Sequence, residues 1–125
     1  MNSIYADVKK NRLYLTLDTI FDEDIFIMIE GLIAEVSKLN QNFTCLVDIR
    51  NLHLSMTEKD ETYVEVIQMA LKLLGMGRVV RVIGPGFLRN YTHNKMNALS
   101  REAGYRATAV ETFQDAEKLL DSFIT

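Results

Sequence analysis

Two short segments near the start of the chain place apolar residues at every second position. They occupy positions 4–8 and 13–17, and the polar run 9–12 separates them. An alternation with a period of two is typical of a β-strand that buries one face, and a short polar run between two such strands is typical of a turn. The pattern predicts an antiparallel hairpin.

Four later segments carry apolar residues at helical spacing. The first helix is predicted to follow the acidic run 22–24 and to end near position 39, with Ile33 among its buried residues. The second begins at a capping box, either Ser55 to Glu58 or Thr57 to Asp60, and covers 57–75. The third is expected from about position 87 to Gly104. Thr112 is predicted to cap the fourth.

Three apolar strands are predicted between these helices, at 43–47, 78–83 and 107–110. The order is therefore β β α β α β α β α. A helix between two neighbouring strands requires a parallel pair with a right-handed crossover. We therefore expect a single α/β domain over 1–125, with a mostly parallel sheet, an antiparallel edge strand and helices on both faces.

Composition and charge exclude several classes of protein. The chain has 125 residues, of which 48% are hydrophobic and 25% charged, which fits one folded domain. The net charge of −3 argues against nucleic acid and anionic membranes as partners. The longest apolar run, 25–29, is far too short to span a bilayer, so we expect no membrane insertion. The single cysteine and the absence of a basic, then apolar, N-terminal segment favour a cytoplasmic protein.

The sequence resembles the STAS domains, and more closely the anti-sigma-factor-antagonist-like proteins. The likeness rests on the initial hairpin, on Phe43–Asp48 leading into a capped helix, and on the ending from Gly104 through Glu117. In bacterial anti-sigma factor antagonists the loop after the third strand carries an Asp-Ser-Ser-Gly type motif whose serine is phosphorylated, and the next helix contacts the partner. The resemblance therefore implies a regulatory module that binds proteins.

The corresponding loop here, 48–58, keeps Asp48 but lacks that motif. Three alternatives stay open. Ser55 or Thr57 is the phosphate acceptor, Glu58 imitates a permanently modified state, or the switch is absent. We favour absence, because either hydroxyl is explained by capping the helix that follows.

The second helix is apolar over about 220° of its circumference at about 100° per residue, and Gln68 lies in the narrow polar strip. One interpretation is that the extra apolar flank packs on the third helix. The other is a surface for a partner protein or a homodimer, formed by Val66, Met69 and Leu73 together with Ser55, Met56 and Thr57.

A second hypothesis is a site for a small apolar molecule or lipid. If strand two lies between strands three and four, as the resemblance implies, a crevice opens between Asp18 and the Gly84-Pro85-Gly86 turn. Phe21 and Phe87 would form its apolar rim. The same glycines form no dinucleotide-binding fingerprint, because its third glycine position is Arg89.

No set of residues suggests catalysis, a metal or a cofactor. Cys45 lies within an apolar strand and is expected to be buried, and His53 and His93 have no second ligand at metal spacing. His93 and Asn97 are expected on the solvated outer face of the third helix. The sequence therefore predicts a non-enzymatic, STAS-like regulatory or protein-interaction module that uses the loop 48–58 and the helix 57–75.

Overall fold

The protein is described by a computed structural model that covers residues 2–18, 25–52, 58–85, 93–98 and 107–123, with backbone only for 58–61. Within these ranges five strands form one sheet in the order β1-β2-β3-β4-β5. The first pair is antiparallel and the others are parallel. This confirms the predicted fold class and the alternation of strands and helices.

The hairpin at the edge of the sheet consists of β1 (Ser3–Asp7) and β2 (Arg12–Thr16), with Tyr5 opposite Tyr14. Asn11 in the connecting turn has a φ of 51°. Asparagine tolerates this left-handed conformation better than most residues, so the turn predicted from the polar run forms without glycine.

The remaining strands are β3 (Thr44–Asp48), β4 (Val79–Val82) and β5 (Thr108–Val110). Each pairs with its predecessor in the chain, so β2 lies between β1 and β3. The expectation that strand two lies between strands three and four is therefore wrong. The strands follow one another across the sheet in the order of the sequence, so the strand order does not reverse.

Four helices pack on this sheet. They are α1 (Ile25–Val36), α2 (Glu58–Leu73), α3 (93–98) and α4 (Phe113–Asp121). The inward residues of α1 and α2 and Met96 of α3 share one core, so these helices lie on the same face of the sheet, where right-handed crossovers in one direction would place them. The chain returns after β5, and α4 covers the opposite face.

Two separate apolar cores reflect this division. The larger core contains the inward residues of α1 and α2, Met96 of α3 and one face of the strands. The smaller core joins Ala116 and Leu120 of α4 to the other face, at Leu46, Val80 and Val82. Ala116 and Leu120 are fully buried, as their helical spacing suggests.

The rotation of α1 differs from the prediction. Its buried stripe is Ile25, Met28, Leu32 and Val36, whereas Ile33, expected in the core, is 52% exposed. Glu35 explains the rotation, because its Oε1 accepts a hydrogen bond from the backbone N–H of Ala6 in β1 at 3.1 Å. Lys38 and this N–H also lower the pKa of Glu35. The flank that carries Glu35 is thus held against β1.

Buried charge attaches α4 to the hairpin. Arg12 is fully buried, and its guanidinium donates to Glu117 at 2.8 Å, to Asp121 at 2.9 Å and to the Thr44 hydroxyl at 3.1 Å. Glu117 also accepts from Lys10 at 2.8 Å. These contacts compensate the desolvation of the Arg12 side chain and fix α4 over the sheet.

Two predicted helix boundaries are confirmed, whereas α1 ends at Val36 instead of near position 39. Gly75 adopts a φ of 105° just after α2, a conformation that favours glycine. Thr112 caps α4, because its hydroxyl accepts from the backbone N–H of Asp115 at 3.0 Å. Among the described residues, the helices are too short or too polar to cross a membrane.

Candidate functional site

Large apolar side chains are exposed on the two neighbouring helices α1 and α2. They are 40–84% exposed, and we call them the outer face; its members are Phe26, Ile27, Ile33, Val66, Met69 and Leu73. Leu73 is the most exposed, at 84%. Isolated apolar residues are ordinary on protein surfaces, whereas a group on adjacent helices indicates an interaction surface.

The positions of these residues follow from the hydrogen bond that each helix makes on its opposite side. Glu35 faces β1, so Ile33, two positions and about 200° away, lies on the flank that faces α2. Gln68 bonds to α3, so Val66 lies on the opposite flank, toward α1. Phe26 and Leu73 are each seven residues from these positions and share their flanks. The four side chains therefore border the seam between α1 and α2.

This result bears on the two interpretations of α2. Val64, Ile67 and Leu71 are buried against the sheet, as expected. Val66, Met69 and Leu73 stay exposed, so the described part of the third helix, 93–98, does not cover them. The three helix residues predicted to contact a partner thus share an accessible surface with α1, whose contribution the sequence analysis missed.

Part of the loop 48–58 is described. The Asp48 carboxylate accepts from the Arg50 guanidinium at 2.7 and 3.0 Å and from the Arg50 backbone N–H at 3.1 Å. Burial alone would raise the pKa of Asp48, but these bonds to Arg50 lower it. Asp48 therefore shapes the start of the loop as a carboxylate. Ser55, Met56 and Thr57 lie outside the described residues, and their roles stay predictions.

The strand order removes the basis of the predicted ligand crevice. Asp18 follows β2 and Gly84 follows β4, and β3 lies between these strands. A crevice at a switch point needs adjacent strands whose connections diverge, and β2 and β4 are not adjacent. Phe21, Gly86 and Phe87 lie outside the described residues.

A polar cluster under α3 is the main feature that the sequence analysis missed. Arg81 of β4 is 2% exposed, and its NH1 donates to Asn97 Oδ1 at 2.7 Å and lies 3.3 Å from His93 Nδ1. His93 is 8% exposed. The expectation that His93 and Asn97 lie on a solvated outer face is therefore wrong, because both turn toward the buried guanidinium.

The hydrogen-bond directions define the protonation of His93. The Arg81 guanidinium faces Nδ1 and the Asn97 amide nitrogen faces Nε2, and both groups only donate, so the neutral ring can accept from one of them. The charged guanidinium is the stronger donor, which favours Nδ1 as the acceptor and a proton on Nε2. Asn97 Oδ1 accepts from Arg81 and from the Ala107 N–H, which turns its amide nitrogen toward Nε2 at 3.3 Å. Burial and the Arg81 charge lower the pKa of His93 to about 4. The imidazole is thus neutral and acts as an acceptor.

Gln68 is a second correction to the predicted surface of α2. It was assigned to the polar strip but is 3% exposed, and its Nε2 donates to the Met96 carbonyl of α3 at 2.9 Å. A polar residue can occupy this inward position because its amide N–H finds an acceptor in the Met96 carbonyl. α2 and α3 are thereby joined by a buried hydrogen bond.

Cys45 is buried, as predicted. It is fully inaccessible in β3, and burial raises the pKa of its thiol to about 12. A thiol in this environment stays protonated and is a poor nucleophile. In the described part of the chain, no group of three or more potential metal-ligating side chains is found.

Comparisons with known proteins give no family for this chain. No family model matches it, and no curated protein matches it either.

Proposed function

We propose that the chain is a non-enzymatic protein-interaction module of the STAS-like kind, and that it binds a second copy of itself through the outer face. The observation that carries the proposal is the exposed apolar surface across α1 and α2, from Phe26 to Leu73. Covering such a surface removes apolar area from water, which is the main driving force of stable association.

A second copy is the occupant that this surface favours. In a twofold dimer the same patch lies on both sides of the interface, so an apolar patch can cover itself. Twofold homodimers are also the commonest soluble oligomers. Two chains of charge −3 with centres about 25 Å apart repel by about 1.5 kcal/mol in water, and salt screens most of that. Net charge is therefore a weak obstacle.

The chemistry of the described residues agrees with a module that does no catalysis. Cys45 is buried and protonated, and His93 is buried, neutral and bonded to Arg81. Glu117 is held by Lys10 and Arg12. These groups are engaged in holding the fold together.

Sedimentation equilibrium of the wild type and of Leu73→Glu tests the proposal. Burying a leucine contributes about 2 kcal/mol, so its loss should weaken the dimer by a factor of about 30 or more. The matched control is Val8→Glu, because Val8 is 63% exposed but lies in the hairpin turn. We expect Val8→Glu to dimerise like the wild type.

A second variant keeps the test decisive if Leu73→Glu does not fold. Ile27→Glu changes the outer face from α1 and is expected to weaken the dimer similarly, with an unchanged circular dichroism spectrum. A wild-type chain that is monomeric at every concentration, or folded variants that dimerise normally, would refute self-association through this face. A different protein co-purifying with a monomeric chain would have the same consequence and would identify another partner.

A further inference from the structure

A small cavity lies between α2, α3 and the central strands. Its volume is about 20 Å³. The described residues that line it are mostly apolar and include two polar side chains, Gln68 and Arg81; the others are Leu15, Leu17, Val47, Ile67, Leu71, Val79 and Met96. Apolar cavities of this size stay empty, whereas a cavity with polar groups can hold water. The two polar members therefore decide what it contains.

Gln68 lines this cavity, and its side-chain oxygen accepts no hydrogen bond from the described residues. Its Nε2 donates to the Met96 carbonyl at 2.9 Å, and rotating the amide by 180° would bring two acceptors together. The amide orientation is therefore fixed. Its Oε1 is buried and has no hydrogen-bond partner within the described ranges. A buried acceptor without a donor costs free energy, and such atoms are rare in folded proteins.

We infer that the cavity binds one water molecule, which donates to Gln68 Oε1 and accepts from the Arg81 guanidinium. One water needs about 10–15 Å³ of such space, so the cavity of about 20 Å³ has room for one water and not for two. The two polar side chains supply the minimum of two partners that a buried water requires.

The ligand must be neutral and must both donate and accept. A halide ion only accepts, so it would meet the Gln68 oxygen with its own negative charge. A small cation would meet the Arg81 guanidinium, which is positive at every accessible pH. A larger polar molecule does not fit the volume. Water alone satisfies the size, the charge and both bonding directions.

This water extends the polar cluster under α3. Gln68 then connects α2 to α3 through the Met96 carbonyl and to β4 through the water and Arg81. Arg81 in turn holds His93 and Asn97. Three elements of the larger core are thereby linked by polar contacts at a place where apolar packing leaves a gap.

Two measurements on the intact chain test the inference. A crystal structure at a resolution that shows ordered waters is expected to have one water 2.6–3.2 Å from Gln68 Oε1, a range taken from ordinary hydrogen bonds. Magnetic relaxation dispersion in solution counts long-lived internal waters. We expect one fewer per molecule in Gln68→Met, and an unchanged number in the control Gln114→Met, because Gln114 is exposed on α4.

Either measurement on the wild type can overturn the inference, even if Gln68→Met fails to fold. A cavity without density, or a Gln68 oxygen that instead accepts directly from a protein N–H, would contradict it. So would equal water counts in the wild type and a folded Gln68→Met. A third experiment uses crystals soaked in bromide. An anomalous peak in the cavity would show that the cavity binds an anion instead of water.

Discussion

The buried histidine makes the stability of the fold depend on pH. Lowering the pH from 7 to 5 is the perturbation. His93 is 8% exposed, with the Arg81 guanidinium 3.3 Å from Nδ1 and the Asn97 amide nitrogen 3.3 Å from Nε2. A second proton on the ring would direct both N–H groups at donors. Burial and the positive charge of Arg81 therefore lower its pKa from 6.5 to about 4.

The sign and size of the effect follow from these two values. Between pH 6.5 and 4 the unfolded chain binds a proton at this histidine and the folded chain does not, so stability falls as the pH falls. Each pH unit is worth 1.36 kcal/mol, so the pKa difference corresponds to a total loss of about 3 kcal/mol. About 2 kcal/mol of this should be lost by pH 5, and the loss levels off below pH 4.

Urea unfolding at pH 7, 6 and 5 measures the effect in the wild type and in His93→Gln. The variant cannot titrate, and its side-chain carbonyl can still accept from Arg81. His53 is present in both proteins, so any contribution from it cancels from the difference. Glu35, Asp48 and Glu117 have lowered pKa values, so they ionise below this window. We expect the wild type to lose about 2 kcal/mol more than the variant between pH 7 and 5.

Equal losses in the two proteins would refute the reasoning, and so would a His93 pKa of 6.5 or higher measured by NMR. The same spectra test the hydrogen-bond directions. Nitrogen chemical shifts should show Nε2 protonated and Nδ1 unprotonated at pH 7. The opposite tautomer would mean that Arg81 does not donate to this ring.

Two further substitutions test contacts that hold the fold together. Glu117→Ala removes one of the two carboxylates bound by the buried Arg12 guanidinium, so urea unfolding should show a loss of about 2 kcal/mol in stability. The control Glu111→Ala changes an exposed residue and should cost less than about 0.5 kcal/mol. Equal urea midpoints for the two variants would contradict this. Gly75→Ala adds a Cβ that clashes with the Gln41 side chain, and alanine is also strained at a φ of 105°. We therefore expect a loss of about 1–2 kcal/mol in the free energy of unfolding. Adding Gln41→Ala to the same chain should relieve the clash and leave the backbone strain.

The order of the elements could be read from the sequence because local periodicity determines it. The helix predicted at 57–75 is observed at Glu58–Leu73. The strand predicted at 78–83 is observed at Val79–Val82. The Thr112 cap and the Gly75 helix end depend on single residue types with strong conformational preferences. The order of strands in the sheet depends on contacts between distant segments, and no local pattern carries that information.

The polar cluster was missed because its members come from two different elements, β4 and α3. Arg81 has valines on both sides in a strand where all four residues are buried. A charge in such a strand requires polar partners, and this was the available signal. His93 and Asn97 are one helical turn apart and could have supplied those partners. The helical wheel alone assigned them to solvent, since it places polar residues outward by default.

The same kind of polar contact also decides which apolar residues reach the surface. Glu35 fastens α1 to β1, and Gln68 fastens α2 to α3, so both helices are held by their far flanks. In each helix the residue two positions earlier, Ile33 or Val66, must then lie on the near flank, beside the seam. The exposed apolar seam is therefore a consequence of two hydrogen bonds, a partly buried one at Glu35 and a buried one at Gln68. The pattern of apolar residues alone placed Ile33 in the core, whereas for Val66 it left open packing on the third helix or an exposed surface.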